Sequence, residues 1–411
     1  MTNAASSNTN GERKVSLAYL FFTFLKVGAF SFGGNMALVA VVKSIMVDRD
    51  KTVKDETILD AIGIATLLPG PLAVNIVAYT GYQLRRGWGT IASMTAVILP
   101  AFIAMLILSW AYFKYGYQQQ FKEIMYYVTG AVSALIATTG FQLFEKEVKG
   151  HKIKILICAL SIVAILFTHS YLLTILFIVF GGIVGAKINL NKDQVTSVSG
   201  DVQKVSLRPD KTSVALLIIL SCIALLFVGN VQQYVANIFL KIILIFSGMS
   251  LSLFGGGYVM IPIMQNLFVA DMHWLSNQEF LDAIAFSQST PGPILVSATF
   301  IGYKVAGFAG AVLATIAIFA PSATLMILVA KIYSGLKQHP LAKKCMAGVK
   351  AVVIGLIIGA AVKIGQQINW NIPLAVITVL AFVASFRYKV SPVYIIISSA
   401  LLGYCIMYFS K

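Results

Sequence analysis

Phe32-Gly33-Gly34 followed by Pro69-Gly70-Pro71, then Phe254-Gly255-Gly256 followed by Pro291-Gly292-Pro293: the chain carries one pair of motifs twice, at a constant shift of 222 residues. Leu59-Asp60-Ala61-Ile62 matches Leu281-Asp282-Ala283-Ile284 at that shift, and Gly81-Tyr82 and Pro100 match Gly302-Tyr303 and Pro321 after a one-residue slip. A duplicated unit is the simplest source of such a pattern. Each motif interrupts a long apolar stretch, which predicts paired broken helices near mid-membrane and a solute site between the two copies.

The membrane assignment follows from composition. Of the 411 residues 58% are hydrophobic and 11% charged, and the mean hydropathy is +0.86, more apolar surface than a soluble fold can hide. The expected fold is an all-α polytopic membrane protein. Apolar stretches of about 20 residues suit a bilayer crossing, and they predict spans at 15–43, 57–84, 88–113, 121–144, 153–169 and 171–187, one at 213–229, then 234–264, 278–303, 305–333, 341–365, 372–386 and 391–409. That makes about 13 transmembrane segments. The domain plan is a polar N-terminus (1–14), a first repeat (15–188), a cytoplasmic linker (189–212), an extra helix (213–229) and a second repeat (230–411). An even-numbered repeat followed by one extra crossing turns the second copy over, so the halves are expected to be inverted repeats.

Basic residues orient this plan. With the N-terminus inside, 18 Lys and Arg fall on the cytoplasmic side and 8 outside, the bias that cytoplasmic loops show. Two loops resist: 43–56 is basic but falls outside, and 265–277 has no Lys or Arg but falls inside. The net charge of +16 is thus mostly a topology signal, and no nucleic acid is needed to explain it. Cys158, Cys222, Cys345 and Cys405 show no CxxC spacing and the four histidines are isolated, so neither a metal site nor a Cys/His nucleophile is suggested.

The motifs have a mechanical reason to exist. Proline lacks an N–H and clashes with the preceding turn, so Pro69 and Pro291 should each end a helix, while Pro71 and Pro293 have the φ suited to start the next. Gly70 and Gly292 supply the bends. The first amides of each new helix lack carbonyl partners and, with the positive end of the helix dipole, suit an anion. Asn75 and Ser297 lie in the first turn after each break, and Gln288, Ser289 and Thr290 make the second copy the more polar wall. Phe32, Gly33, Gly34 and Asn35, like Phe254, Gly255, Gly256 and Gly257, would let backbone approach a ligand closely, or else mark a tight helix crossing. Lys26 is a charge in an apolar run six residues before Phe32, with Gly248 at the equivalent position, and is expected to touch the anion or to snorkel to the headgroups. Asp60 and Asp282 each stand nine residues before their Pro-Gly-Pro motif. They are the candidate proton carriers, against a structural alternative in which each simply sits near a helix start.

As a set these residues resemble the chromate ion transporter superfamily in its long two-domain form. The resemblance covers nearly the whole chain and rests on both Phe-Gly-Gly and both Pro-Gly-Pro motifs, their Gly-Tyr pairs, and the run from Trp274-Leu275 to Leu281-Asp282-Ala283; the first copy departs with Thr52-Val53 in place of Trp-Leu. It implies a multi-pass protein of a prokaryotic plasma membrane that exports chromate, handled as a sulfate analogue, and confers chromate resistance. The implied partners are a chromate- or sulfate-like oxyanion and the lipid bilayer, with a homodimer left open and no cofactor. Alternatives are an exporter of another anion or of an amino-acid-like metabolite, and a membrane-embedded phosphatase-type enzyme. The last would need His, Glu or Arg within spans, where this chain has almost none. No GxxxxGK[ST] loop points to ATP, so coupling to protons or to exchange is expected.

Overall fold

The computed structural model describes residues 15–31, 35–116, 118–167, 171–186, 211–230, 234–252, 257–332 and 340–409. Both Phe-Gly-Gly triplets, the N-terminal 14 residues and nearly all of the expected linker lie outside the described residues. Helix is the dominant structure and no strand occurs among the described residues. The first half comprises α1 (Leu17–Phe30), α2 (Asn35–Lys43) with a π-helical extension (Ser44–Arg49), α3 (Asp55–Ala65), α4 (Leu72–Tyr115), α5 (Gln119–Leu143) with a π-helical end (Phe144–Val148), α6 (Lys152–Phe167) and α7 (Tyr171–Gly185). After α8 (Lys211–Val228) come α9 (Ile238–Ser252), a 3-10 turn (Gly257–Val259) leading into α10 (Met260–Met264) with a π-helical extension (Gln265–Asp271), and α11 (Asn277–Ser289). A second 3-10 turn (Ile294–Val296) precedes α12 (Ser297–Ile332), followed by α13 (Pro340–Gln367), α14 (Ile372–Phe386) and α15 (Pro392–Phe409). Among the described residues, five helical segments are long and apolar enough to cross a membrane: Leu72–Tyr115, Phe121–Val148, Ile294–Ala330, Lys344–Gln367 and Pro392–Phe409.

Neither α4 nor α12 is one rod. Arg85 (φ −143°, ψ 28°) and Arg86 (φ 51°, ψ −144°) leave helical geometry, as do Ala306 (φ −144°, ψ 30°) and Gly307 (φ 60°, ψ −149°) at the equivalent positions of α12. The chain reverses at both places. Thr90 Oγ1 donates to the Ala78 carbonyl at 3.3 Å, although a straight helix would hold the two residues about 18 Å apart. Likewise the hydroxyls of Thr299 and Thr315 lie 2.7 Å apart. Each reversal closes on a glycine pair: a Cβ on Gly81 would meet the Gly89 carbonyl oxygen at 2.4 Å, and one on Gly302 the Gly310 carbonyl oxygen at 2.3 Å.

Four expected spans fold back as well and require correction. The stretch 15–43 is not a single crossing, because the Tyr19 hydroxyl donates to Asp50, which a straight helix would hold about 46 Å away. The stretch 234–264 doubles back too, with the Phe246 and Phe268 rings stacked at 5.2 Å. Glu279 and Lys304 form a 2.6 Å ion pair across the two ends of 278–303. For 57–84, Arg85 donates to the Val15 carbonyl while Asp50 is bound to Tyr19, so α3 begins and the first arm of α4 ends at one end of the molecule. All four stretches fold as helical hairpins, and the Pro-Gly-Pro motifs stand at the tips of 57–84 and 278–303. Hydropathy measures the length of an apolar run and is blind to its direction, which is why these hairpins resemble spans in the sequence.

The hairpins of the two halves open at opposite ends. Val15, Asp50 and Arg85 share one end with the start of the long second arm of α4. At the far end of that arm, Phe113 stacks on Tyr303 at 6.0 Å and Tyr112 donates to Asp282 at 2.7 Å, both in the second half's last hairpin. The halves also exchange partners, since α13 packs on α6 and α7 while α5 packs on α14 and α15. Closing the centre, α1 packs on α4, α9 on α12, and α4 on α12.

Candidate functional site

The two Pro-Gly-Pro tips meet the opposite half at mid-arm. Gly70 (φ 112°) and Gly292 (φ 108°) have left-handed backbones that L-residues adopt at a cost of about 1–2 kcal/mol. A Cβ on Gly70 would lie 2.2 Å from Ser322 Cβ, and one on Gly292 would lie 3.0 Å from Ala101 Cβ. Ser322 and Ala101 follow Pro321 and Pro100, so the contacts are reciprocal. Around the first tip a buried network forms: Ser322 Oγ donates to Asn75 Oδ1 (3.2 Å), Asn75 Nδ2 to the Pro69 carbonyl (3.3 Å), and the Ser322 N–H to Ser250 Oγ (3.2 Å). At the second tip the Gly292 N–H donates to the carbonyl of Ser31, the residue before Phe32, at 3.0 Å. Gly257, at the end of the other glycine motif, packs on Ile294, where a Cβ would stand 2.5 Å from its Cγ2. These contacts gather Pro69, Gly70, Pro71, Asn75, Pro291, Gly292, Pro293 and Gly257 between the halves.

Donors and acceptors at the tips are unevenly used. Pro71 and Pro293 occupy the N-caps of their helices without a side-chain hydrogen bond, leaving helix-start amides to be satisfied by something else. Asn75 braces its own tip, and Ser297, fully buried, makes only a 3.9 Å contact from its hydroxyl to Met264 Sδ. Ser289 and Thr290 donate their hydroxyl protons to the carbonyls of Ala285 (2.8 Å) and Ser287 (3.1 Å). Their remaining lone pairs only accept. Gln288 differs, since it is 8% exposed and both its amide nitrogen and its amide oxygen are buried without a hydrogen-bond partner among the described residues. Such a group costs about 1–3 kcal/mol unless a ligand or water satisfies it.

Among the described residues no hydrogen bond or ion pair ties Lys26 to this cluster; it is exposed on the face of α1 shared by Phe22 (61%) and Phe30 (75%), away from the packed Thr23, Phe24 and Val27. Phe32, Gly33, Gly34, Phe254, Gly255 and Gly256 lie outside the described residues, and Asn35 begins α2.

The two candidate acids differ. Ser276 and Glu279 form a reciprocal capping box that fixes the start of α11 and sets Asp282 inside it. Asp282 is 2% exposed and accepts from Tyr112 Oη (2.7 Å) and Gln278 Nε2 (2.8 Å), Gln278 also donating to Thr129 (2.9 Å). Both donors to Asp282 are neutral. The Tyr112 ring is boxed by Phe113, Phe121, Phe286 and Phe300, which keeps water from the pair. Asp60 is only half-buried. Sequence reasoning missed Ser31, Ser250, Ser322, Tyr112 and Gln278. Only Ser322 left a signal, as the residue after a repeated proline.

The chromate transporter family model matches residues 18–186 and 240–404, one match in each half. An uncharacterized transporter from Methanocaldococcus jannaschii is 27% identical over 94% of this chain and 94% of its own length. A chromate transport protein from Cupriavidus metallidurans is 27% identical over 94% of this chain and 92% of its own. An uncharacterized transporter of Bacillus subtilis is 32% identical and is covered over 86% of its length by only 36% of this chain, so it has the size of one half. No solved structure matches the chain.

Proposed function

Because the chain belongs to the chromate transporter family, we propose that it exports chromate across a prokaryotic plasma membrane as a secondary transporter, and so confers chromate resistance. The observation that carries the proposal is the reciprocal meeting of Gly70 with Ser322 and Gly292 with Ala101, each tip against the middle of the other half's long arm, which supports a site built from helix starts of both halves. Irregular backbone at such depth is tolerated where it lines a cavity or is buried in protein, and discontinuous helices are where membrane transporters bind ions. A membrane transport protein carries this activity without an enzyme's catalytic group. Radiolabelled or spectrophotometric chromate uptake into everted vesicles, with sulfate as competitor, tests it; uptake no faster than in vesicles lacking the protein overturns it.

The topology belongs to the same proposal. Nine crossings and four re-entrant hairpins replace the 13 expected spans, with repeats 15–188 and 230–411 inverted about the helix at 213–229. With the first half's hairpins open to the cytoplasm, the two resisting loops come into line. Lys43, Arg49, Lys51 and Lys54 move inside, raising the cytoplasmic set from 18 to 22 and lowering the outer one from 8 to 4, while the 265–277 loop without Lys or Arg moves outside. Repeated dihedrals at Arg85–Arg86 and Ala306–Gly307, and the half-sized Bacillus relative, support the duplication.

Asp282 is the proton carrier of this reading. A buried carboxyl held by two neutral donors can exchange a proton along the Tyr112 hydroxyl as the anion moves. Asp60, half-buried, is its weaker counterpart.

A further inference from the structure

We propose that Gln278 is the door between Asp282 and outer water: a positioning residue whose side-chain amide holds the carboxyl in its ionised state and, turned over, in its protonated state. This rests on the reading of Asp282 as the proton carrier. Asp282 is buried, whereas Gln278, one turn nearer the start of α11, is exposed beside the exposed N-cap Ser276 and the Glu279–Lys304 ion pair. The carboxyl thus has a dry side, where phenylalanines box the Tyr112 ring, and a wet side, which the Gln278 amide closes. On the proposed topology the wet side faces outward.

The Gln278 nitrogen spends both its hydrogens, one on Asp282 Oδ1 (2.8 Å) in its own half and one on Thr129 Oγ1 (2.9 Å) in the other. Thr129 is buried and gives its own proton to the Met125 carbonyl at 3.0 Å, so both partners accept and the nitrogen is fixed in place. This arrangement suits a carboxylate. A proton passed from hydronium to Oδ1, leaving a water behind, makes Asp282 a donor and sets its new O–H against the amide N–H. Turning the amide over removes the conflict. Its oxygen then accepts from Asp282, the Thr129 hydroxyl swings from Met125 to that same oxygen, and the amide hydrogens turn to water. The Met125 carbonyl keeps the Thr129 N–H as its helix partner. Neither state leaves a buried polar group of this trio unpaired, the penalty that would otherwise oppose the proton's entry.

The repeat supports a role specific to the second half. At the equivalent position of the first half stands Glu56, four residues before Asp60, and a carboxylate has no N–H to give. Near this end of α11 the charged groups on the elements packed against it are Glu279 with its partner Lys304, Lys114 over the Trp110 and Tyr115 rings, Lys122 and Glu123 at the start of α5, and Asp271; α15 carries none. Among the described residues none of these hydrogen-bonds to Asp282, so its proton is set by the Tyr112 phenol and the Gln278 amide.

The test titrates purified full-length protein by difference infrared spectroscopy, with no transported anion and no gradient. It reads the C=O stretch of protonated Asp282, identified by its loss in Asp282→Asn. In the unaltered protein that band should rise as pH falls, together with a shift of a glutamine amide band. Gln278→Met should remove the amide signal and move the titration to higher pH by about one unit, a ~10-fold change in proton affinity, because the N–H bond to the carboxylate is the stronger of the two bonds lost. Thr129→Val should blunt the amide shift, and Thr129→Ser, which keeps the hydroxyl, should preserve it. An Asp282 band that titrates identically in Gln278→Met, or that rises without a glutamine shift in the unaltered protein, would overturn the proposal. A Gln278-dependent titration in a protein whose transport ignores an imposed pH gradient would instead overturn the proton-carrier reading and leave the pairing of Gln278 with Asp282 standing.

Discussion

Gly70 and Ser322 approach so closely that a Cβ on the glycine would lie 2.2 Å from the serine's Cβ, and the equivalent pair, Gly292 and Ala101, would stand 3.0 Å apart. The two contacts are related by the chain's internal repeat, yet the first is tighter and carries the hydrogen bonds to Asn75 and Ser250.

That difference ranks two mutants. Gly70→Ala must overcome both a left-handed φ and backbone-anchored crowding from Ser322, so transport should fall more than ~10-fold with the protein still in the membrane. Gly292→Ala carries the same φ strain of about 1–2 kcal/mol but a milder contact, and should retain more activity. Adding Ser322→Gly to Gly70→Ala should restore part of the loss. Vesicle uptake, normalised to membrane protein, reads the series; equal and full activity in both single mutants would separate the tips from transport.

Cysteine labelling separates the hairpin topology from a chain of straight spans. Lys51→Cys should react with a membrane-impermeant thiol reagent only from the cytoplasmic side, and His273→Cys only from outside, in a background with Cys158, Cys222, Cys345 and Cys405 replaced. The straight-span plan expects the reverse for both sites. Labelling of both from one side would remove the inverted arrangement.

Asp282→Asn keeps the shape of the side chain and an oxygen for Tyr112 but cannot carry a proton. Exchange of anion for anion should persist, while the response of net transport to an imposed pH gradient should disappear. Asp60→Asn should keep most of that response, because Asp60 is half-buried where Asp282 is 2% exposed. Tyr112→Phe should weaken coupling without abolishing it. Full coupling in Asp282→Asn would make the acid structural.

Lys26 lies on the exposed Phe22–Phe30 stripe, so Lys26→Met should change chromate affinity by less than about twofold, as expected of a side chain that snorkels to the interface. A loss of tenfold or more, with Lys26→Arg partly active, would bring this cation into the anion's path.

The family and the places where helices break at Pro-Gly-Pro were legible in the chain itself; the breaks were so because proline and glycine impose their geometry locally: Pro71 and Pro293 begin helices and Gly70 and Gly292 turn the backbone wherever they stand. The capping box at Ser276 and Glu279 was equally local. Direction was not. A run that crosses a membrane and one that enters and returns have the same hydropathy, and the two are distinguished only by contacts between residues far apart in sequence, Tyr19 with Asp50 and Glu279 with Lys304. Likewise, no spacing rule links Tyr112 to Asp282 or marks Gln288 as a polar side chain left unpaired among the described residues, since those facts depend on what the rest of the molecule brings to the same point.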